Sequence, residues 1–397
     1  MKITSLYVTI VIILNVTLVP NGFAQTQTEN YIKTETVLVP RSNESDLDLL
    51  SNSEIRKTVT YFDALGKKMQ IISIKISASE KDIVTPVEYD ELGIQFRSNL
   101  AYQATSTDGS FRPNAISEQR NFYQSPPPGV ASTNTPYAET VYQKSPLIPV
   151  LEQGAVGTPW QPGSNHTIQT THLANDATDD IRIWVFDEVN HTAATTAAYS
   201  DDALFVTKTT DENGNLSYEY KEKTGKLILK KTYTDGVTEV LTYYIYDEFD
   251  NLRMILPPEA VDELKNNGWN MTNTIRDTWA TYFVYDGYQR VVAKKIPEAD
   301  SIFTIYDRLG RVVLTQDGNL RAQNRWMFTK YDVHGRTILT GVYTDPNGYD
   351  RAQMQAYLDQ VIDGSNTPGH YAYYETPDAN GAEGYTDNAF PPIGDCQ

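Results

Sequence analysis

The chain has 397 residues, room for two domains and a sizeable core, with 27 Tyr, a single Cys and a formal net charge of −18 from 51 acidic against 33 basic residues. So acidic a surface repels nucleic-acid phosphate and anionic lipid, which sets nucleic acid aside as a partner. The lone Cys396 excludes an intrachain disulfide and a cysteine metal site, and reads as a terminal thiol without a role.

In chain order, the first feature is a leader. Lys2 precedes the apolar run Leu6 to Val19, and Gly22-Phe23-Ala24 places small residues ahead of Gln25. Residues 1–24 therefore read as a signal peptide, with the run too short for a stable membrane span. Its removal takes the charge to −19, since Lys2 is its only charged residue. The expected location is the cell envelope or outside the cell. Gln25 stands where a lipoprotein needs Cys, and no other stretch is apolar enough to cross a bilayer.

Residues 25–245 read as a β-rich N-terminal domain. Strand signals fall at Tyr31 to Val39, Lys57 to Phe62 and Met69 to Ile76. Residues 105–162 are dense in Ser, Pro, Asn and Gly, including Ser125-Pro126-Pro127-Pro128-Gly129, and predict a long loop region. Strands resume at Ile181 to Phe186, Ala203 to Thr209, Ser217 to Tyr220 and Leu227 to Tyr233. They continue at Glu239 to Tyr246 and Leu252 to Leu256. Two short helices are predicted. One opens at Pro257-Pro258, runs through Ala260, Val261 and Leu264, and ends at Gly268. The other spans about Asp350 to Ile362, with Met354, Tyr357, Leu358 and Val361 on one face and Gly364 as its stop.

The most informative pattern is a recurring Tyr-Asp-x-x-Gly-Arg. Three copies stand out: Tyr285-Asp286 to Arg290, Tyr306-Asp307 with Gly310-Arg311, and Tyr331-Asp332 with Gly335-Arg336. Worn copies start at Phe62, Tyr89, Thr210, Lys221 and Tyr246. Each reads as a strand, a tight turn and a returning strand, with Asp opening the turn and Gly at its left-handed position. Valine at Gly310 or Gly335 is accordingly expected to disrupt folding. The aromatic positions from Tyr246 are spaced 39, 21 and 25 residues apart, which predicts insertions between hairpins instead of equal rungs. Residues 246–345 are thus a run of repeat hairpins, and 346–397 a helix with a polar tail. The helix's apolar face and the last hairpin's free edge are expected to stand uncovered.

No catalytic, cofactor or metal site emerges. Asp345-Pro346-Asn347-Gly348 is read as a turn leading into a helix. His166 and His172 would share a strand face, but lack a third ligand nearby and read as surface or turn residues. Asp211-Glu212-Asn213-Gly214-Asn215 has its Gly too early for a calcium loop and reads as a hairpin turn. Trp160, Trp184, Trp269, Trp279 and Trp326 could form a sugar-stacking platform, though packing between hairpins is the favoured reading.

These residues resemble the Rhs/YD-repeat family of large secreted or surface polypeptides, in particular the Bacteroidota class with a signal peptide and an N-terminal domain of unknown function. The resemblance rests on the ordered strings Asp82 to Asp90, Tyr137 to Tyr142 with Ser145-Pro146-Leu147, Leu151 to Ala155, Leu256 to Ala260 and Thr329 to Asp332. It covers about Asn30 to Thr344. It implies antiparallel hairpins forming part of a curved, spiralling sheet, a mainly β fold. In toxin-bearing members such a shell encloses a C-terminal effector, released by self-cleavage. This chain has few good repeats and no recognisable core or effector, so it is expected to be the N-terminal part of a longer system or a truncated copy. The implied function is a non-catalytic structural segment, with further YD repeats or a C-terminal effector, in the same or a separate chain, as partners. The alternative is an extracellular carbohydrate-binding or adhesion module with a surface glycan as ligand.

Overall fold

The computed structural model describes residues 9–12, 26, 28–40, 50–365 and 367–396. Of the expected leader only the short strand β1 (Thr9–Ile12) falls among them; the cleavage position lies outside the described residues. The chain is mainly β, made of antiparallel hairpins with short helices between them. It divides into two compact units, Met1–Thr171 with Lys208–Leu216, and His172–Thr207 with Ser217–Gln397.

In the first unit, β2 (Asn30–Val37), β3 (Ile55–Phe62), β4 (Lys68–Ser73) and β5 (Ile83–Glu88) pair in sequence order, all antiparallel. Strands β6 (Arg97–Asn99) and β7 (Tyr102–Gln103) both add to β5. Next, β8 (Tyr137–Tyr142) pairs with β6 and β9 (Val150–Gln153) with β8, while β10 (Ile168–Ala174) begins against β9. Alternation in β3 sends Val59 and Tyr61 to the same face, where they meet Ile72, Val84 and Tyr102 in one apolar cluster. The stretch 105–162, expected to be largely loop, also holds regular structure. It contains β8, β9 and a helix, α1 (Ala115–Gln124). The inward face of α1 is Ala115, Gln119 and Tyr123, too polar to produce an apolar period in the sequence. Gln119 is fully buried because its Nε2 donates to the carbonyls of Leu100 and Pro136, at 2.6 and 3.1 Å.

In the second unit, β11 (Arg182–Asp187) and β12 (Thr192–Ala198) form a separate two-stranded hairpin. β13 (Phe205–Thr210) has its first three residues in this unit and the rest in the first; then comes the repeat run, which opens with β14 (Leu216–Lys221), all but Leu216 of it in the second unit, and continues with β15 (Leu227–Tyr233), β16 (Glu239–Tyr246), β17 (Leu252–Leu256), β18 (Thr281–Tyr285), β19 (Val291–Lys295), β20 (Ile302–Tyr306), β21 (Val312–Gln316), β22 (Arg325–Tyr331) and β23 (Thr337–Thr344). From β14 onward every strand pairs antiparallel with the next.

Both predicted helices form, as α2 (Pro258–Asn266), burying Ala260, Val261 and Leu264, and α5 (Arg351–Val361), burying Met354 and Leu358. Asp350 and Gln353 close a capping box at the start of α5. The structure adds three short helices to these two. Besides α1, the structure has α3 (Asn273–Trp279), capped by Thr272, and α4 (Gly318–Arg321), capped by Asp317. Helices of seven and four residues carry too few turns to print a period.

The tail also differs from expectation. It is irregular, but it covers the apolar face that seemed bare: Phe390 is buried with Met354, Leu358, Trp326 and Tyr343, while Tyr371, Tyr373 and Cys396 pack on the same cluster. The outer edge of β23 is less covered; among the described residues it meets the tail at one bridge, between Tyr343 and Cys396.

Candidate functional site

The repeated turns share one construction. In the three best copies the backbone N–H of Asp286, Asp307 and Asp332 donates to the carbonyl of the arginine four residues on, at 2.9–3.0 Å. The Asp side chain holds the inside of the turn. Oδ1 of Asp307 accepts from the amides of Leu309 and Arg311, both at 2.9 Å, and Asp332 does the same for His334 and Arg336. The left-handed position is Gly310 (φ +80°), Gly335 (φ +75°) or, in the first copy, Gln289 (φ +59°). A register shift just before each tyrosine marks the bulge that lets a turn of this size close the hairpin. Asp63, Asp90, Asp211 and Asp247 accept the same pair of amides in the worn turns.

Consecutive hairpins are joined by a second construction that no single motif reveals. The arginine ending one turn lies over the tyrosine of the next repeat. Arg290 stands 4.5 Å from the Tyr306 ring centre and Arg311 stands 4.6 Å from that of Tyr331. The same tyrosine reaches back with its hydroxyl to the carbonyl of the residue after that arginine: Tyr306 to Val291 at 2.9 Å and Tyr331 to Val312 at 2.7 Å. At the preceding junction Tyr285 donates to Leu252 at 3.0 Å, with Arg253 over its ring at 5.0 Å. Lys226 over Tyr246, and in the first unit Lys67 over Tyr89, are weaker versions of the stack. Burial raises the Tyr306 and Tyr331 hydroxyl pKa values, partly offset by the arginines above them, so both remain donors.

The register between repeats is constant too. The eighth and ninth residues after one aromatic position pair with the third and fourth before the next. Met254 and Ile255 pair with Tyr282 and Thr281, Ala293 and Lys294 with Phe303 and Ile302, and Leu314 and Thr315 with Phe328 and Met327. Gln70 and Ile71 with Pro86 and Thr85 repeat the rule in the first unit. The irregular spacing in sequence is therefore absorbed after the ninth residue, where α2 and α3 lie in one gap and α4 in another.

The last copy is different. Arg336 pairs with Asp332 at 2.7 Å, yet its side chain is 73% exposed, against 25% for Arg290 and 17% for Arg311. Among the described residues no aromatic ring lies over it, and no side chain donates to the Thr337 carbonyl.

The tail is locked to this hairpin by a buried charge cluster. Lys330 Nζ donates to Glu375 Oε1 at 2.8 Å and Asp387 Oδ1 at 2.7 Å, and Lys330 and Glu375 are each 1% exposed. Glu375 also accepts from the Thr386 hydroxyl and from the amides of Asn388 and Ala389. Arg311 adds a hydrogen bond to the Tyr373 carbonyl. Sequence inspection missed this cluster, because its members are 45 and 57 residues apart and lie in unremarkable polar surroundings.

The other candidates resolve as follows. Asp345 accepts from the amides of Asn347 and Tyr349, at 3.0 and 2.6 Å, in a turn that leads into α5. Trp326 is fully buried, and Trp184, Trp269 and Trp279 pack on the other core of the second unit, leaving Trp160 half-exposed beside His166. His166 and His172 are both exposed, and among the described residues no three of His, Cys, Asp and Glu gather as metal ligands. Burial pushes the Cys396 thiol up to about 11. No helix among the described residues is long and apolar enough to cross a membrane.

Residues 33–174 match a family described as a domain of unknown function, DUF6443. Over 361 residues the chain is 20% identical to salivary gland surface protein 1 of Aedes aegypti, covering 83% of this chain and 10% of that protein. Among solved structures it is similar to that of TcdB2-TccC3-TEV, with a TM-score of 0.49 and 14% identity over 80% of this chain and 14% of the other. It is also similar to a Photorhabdus luminescens Tc holotoxin pore carrying a TccC3 variant, with a TM-score of 0.48 and 14% identity over 80% of this chain and 13% of the other. The chain thus spans about a tenth of the curated relative and about a seventh of these structures.

Proposed function

We propose that this chain is an exported, non-catalytic structural segment of a repeat shell, which docks on further Tyr-Asp repeats and helps to enclose or present an effector. The observation that carries this reading is the constant junction between hairpins. The same register, the same arginine–tyrosine stack and the same hydroxyl-to-carbonyl bond recur from one repeat to the next whatever is inserted between them. A unit built this way is made to be extended, since each hairpin offers the next one both a strand edge and a side-chain seat. The residues from Tyr285 to Arg336 act as structural elements of those junctions. The carbohydrate-binding alternative draws little support, because four of the five tryptophans serve as packing.

The test is assembly. The purified chain is mixed with a recombinant polypeptide of several consecutive Tyr-Asp-x-x-Gly-Arg hairpins and followed by light scattering. A stoichiometric complex is expected; two species that stay separate at high concentration overturn the docking reading. Export is tested by N-terminal sequencing of protein recovered from the envelope or medium, expected to start at or near Gln25.

A further inference from the structure

The junction geometry, extended one step, defines a binding seat at the end of the run. Leu339 and Thr340 stand eight and nine residues after Tyr331, the positions equivalent to Ala293 with Lys294 and Leu314 with Thr315, which pair with an incoming strand. On β23 their outer edge meets no strand among the described residues; the tail touches this strand farther along, at Tyr343. Beside that edge lie the two other halves of a junction, the exposed Arg336 guanidinium and the Thr337 carbonyl.

We propose that Arg336, Thr337, Leu339 and Thr340 form a preformed seat for one tyrosine-bearing hairpin of another polypeptide. The third and fourth residues before that hairpin's tyrosine pair with Leu339 and Thr340. Its ring lies under Arg336, and its hydroxyl donates to the Thr337 carbonyl. This rests on the docking reading above and adds to it the place, the register and the side chain recognised. The same geometry argues against a second copy of this chain as the occupant. Tyr89, Tyr246, Tyr285, Tyr306 and Tyr331 are each already held against the basic residue of the preceding repeat, so a second copy has none of these repeat tyrosines to offer. The asymmetry in exposure fits an empty seat: a guanidinium left in water at the open end is the same group that is covered at the closed junctions.

The experiment uses the full chain and a synthetic peptide with the sequence of Ile302–Gln316, a complete hairpin containing Tyr306. NMR-detected exchange at Leu339 and Thr340 and the Arg336 Nε–H resonance are followed as peptide is added. The expected result is slowed exchange at whichever of the two amides points away from β22, since successive residues of a strand aim their N–H groups at opposite edges, and an upfield shift of Nε–H from the ring beneath it. A peptide carrying Tyr306→Phe should bind about fivefold more weakly, having lost one hydrogen bond. The chain carrying Arg336→Ala should weaken by a similar factor, and Arg336→Lys by less, since the cation is retained. The Arg336 side chain is 73% exposed, so these variants fold, which a single cooperative unfolding transition confirms. Protection that falls elsewhere, indifference to both Tyr306→Phe and Arg336→Ala, or no binding at millimolar peptide each overturns the seat, as does self-association of the chain that protects the same amides. The multi-hairpin polypeptide is run in parallel. If it binds the wild type and the Arg336→Ala chain equally, docking stands and the seat falls; if it binds neither, the docking reading falls as well.

Discussion

Along the hairpins, Tyr306 reaches back 15 residues to Val291 and Tyr331 reaches back 19 to Val312; in the tail, Glu375 reaches back 45 to Lys330 and Tyr373 reaches back 62 to Arg311. The repeat run is held by short-range bonds made again at each step. The loss of any one is bounded, because its neighbours repeat it. The tail has little regular structure, so its position depends on a few long-range contacts, one of them between charges removed from water. Periodic structure distributes its stability, and irregular structure concentrates it.

The contrast can be broken most severely at Lys330. Alanine there leaves Glu375 buried without its cation and should cost about 3–5 kcal/mol in urea unfolding, since an uncompensated buried charge is the expensive case. Pairing Lys330→Met with Glu375→Gln should recover part of that loss. A cost below about 1 kcal/mol for Lys330→Ala would mean that the tail is anchored elsewhere.

A closed junction against the open one gives the next largest effect. Arg311→Ala removes the stack on Tyr331 and the bond to Tyr373 and leaves the buried Asp307 unpaired, a loss of about 2 kcal/mol. Arg336→Ala also takes the cation from a buried carboxylate, Asp332, but removes no stack and no bond to the tail, so in the chain alone it should cost about 1 kcal/mol. Equal effects in thermal unfolding would contradict the view that the two arginines differ only in having a neighbour.

Within the turns, Gly310→Val should cost about 1–2 kcal/mol through backbone strain alone, because a Cβ at Gly310 meets no atom within 4 Å. That is a smaller effect than the disrupted fold the motif suggests, and a folded, weakened variant is the expected outcome. The converse substitution, Gln289→Gly, relieves a side chain held at φ +59° and should raise stability by about 0.5–1 kcal/mol in the same assay.

The smallest effect is a pH dependence. Burial raises the Asp286 carboxyl pKa, but the amide and guanidinium of Arg290 and the amide of Tyr288 outweigh it, so the net shift is below the ordinary 3.8. A folded value lower than the unfolded one contributes stability above the unfolded value, and that contribution is lost as pH falls through the folded one. The difference in urea midpoint between the wild type and Asp286→Asn should therefore be constant from neutral pH to about 5 and narrow below 3.8.

Much of this architecture was legible in the residues themselves. Leu227 to Tyr233, Glu239 to Tyr246 and Leu252 to Leu256 form strands over the expected spans, and the prolines and glycines of α2 mark its ends, because strand pattern and turn chemistry are local properties. The Asp-x-x-Gly turns were visible for the same reason: the groups that close each one lie within five residues. What only the tertiary structure decided is what happens between such units. That Arg290 covers Tyr306, that the ninth residue ends one junction whatever follows, and that Lys330 waits for Glu375 depend on strands brought together across insertions of different length. α1 was hidden because its buried face is polar, and its place is set by the carbonyls of Leu100 and Pro136 that Gln119 satisfies. Composition and spacing record which local shapes a chain prefers; hydrogen bonds and charges between distant segments acquire partners only once those shapes have packed.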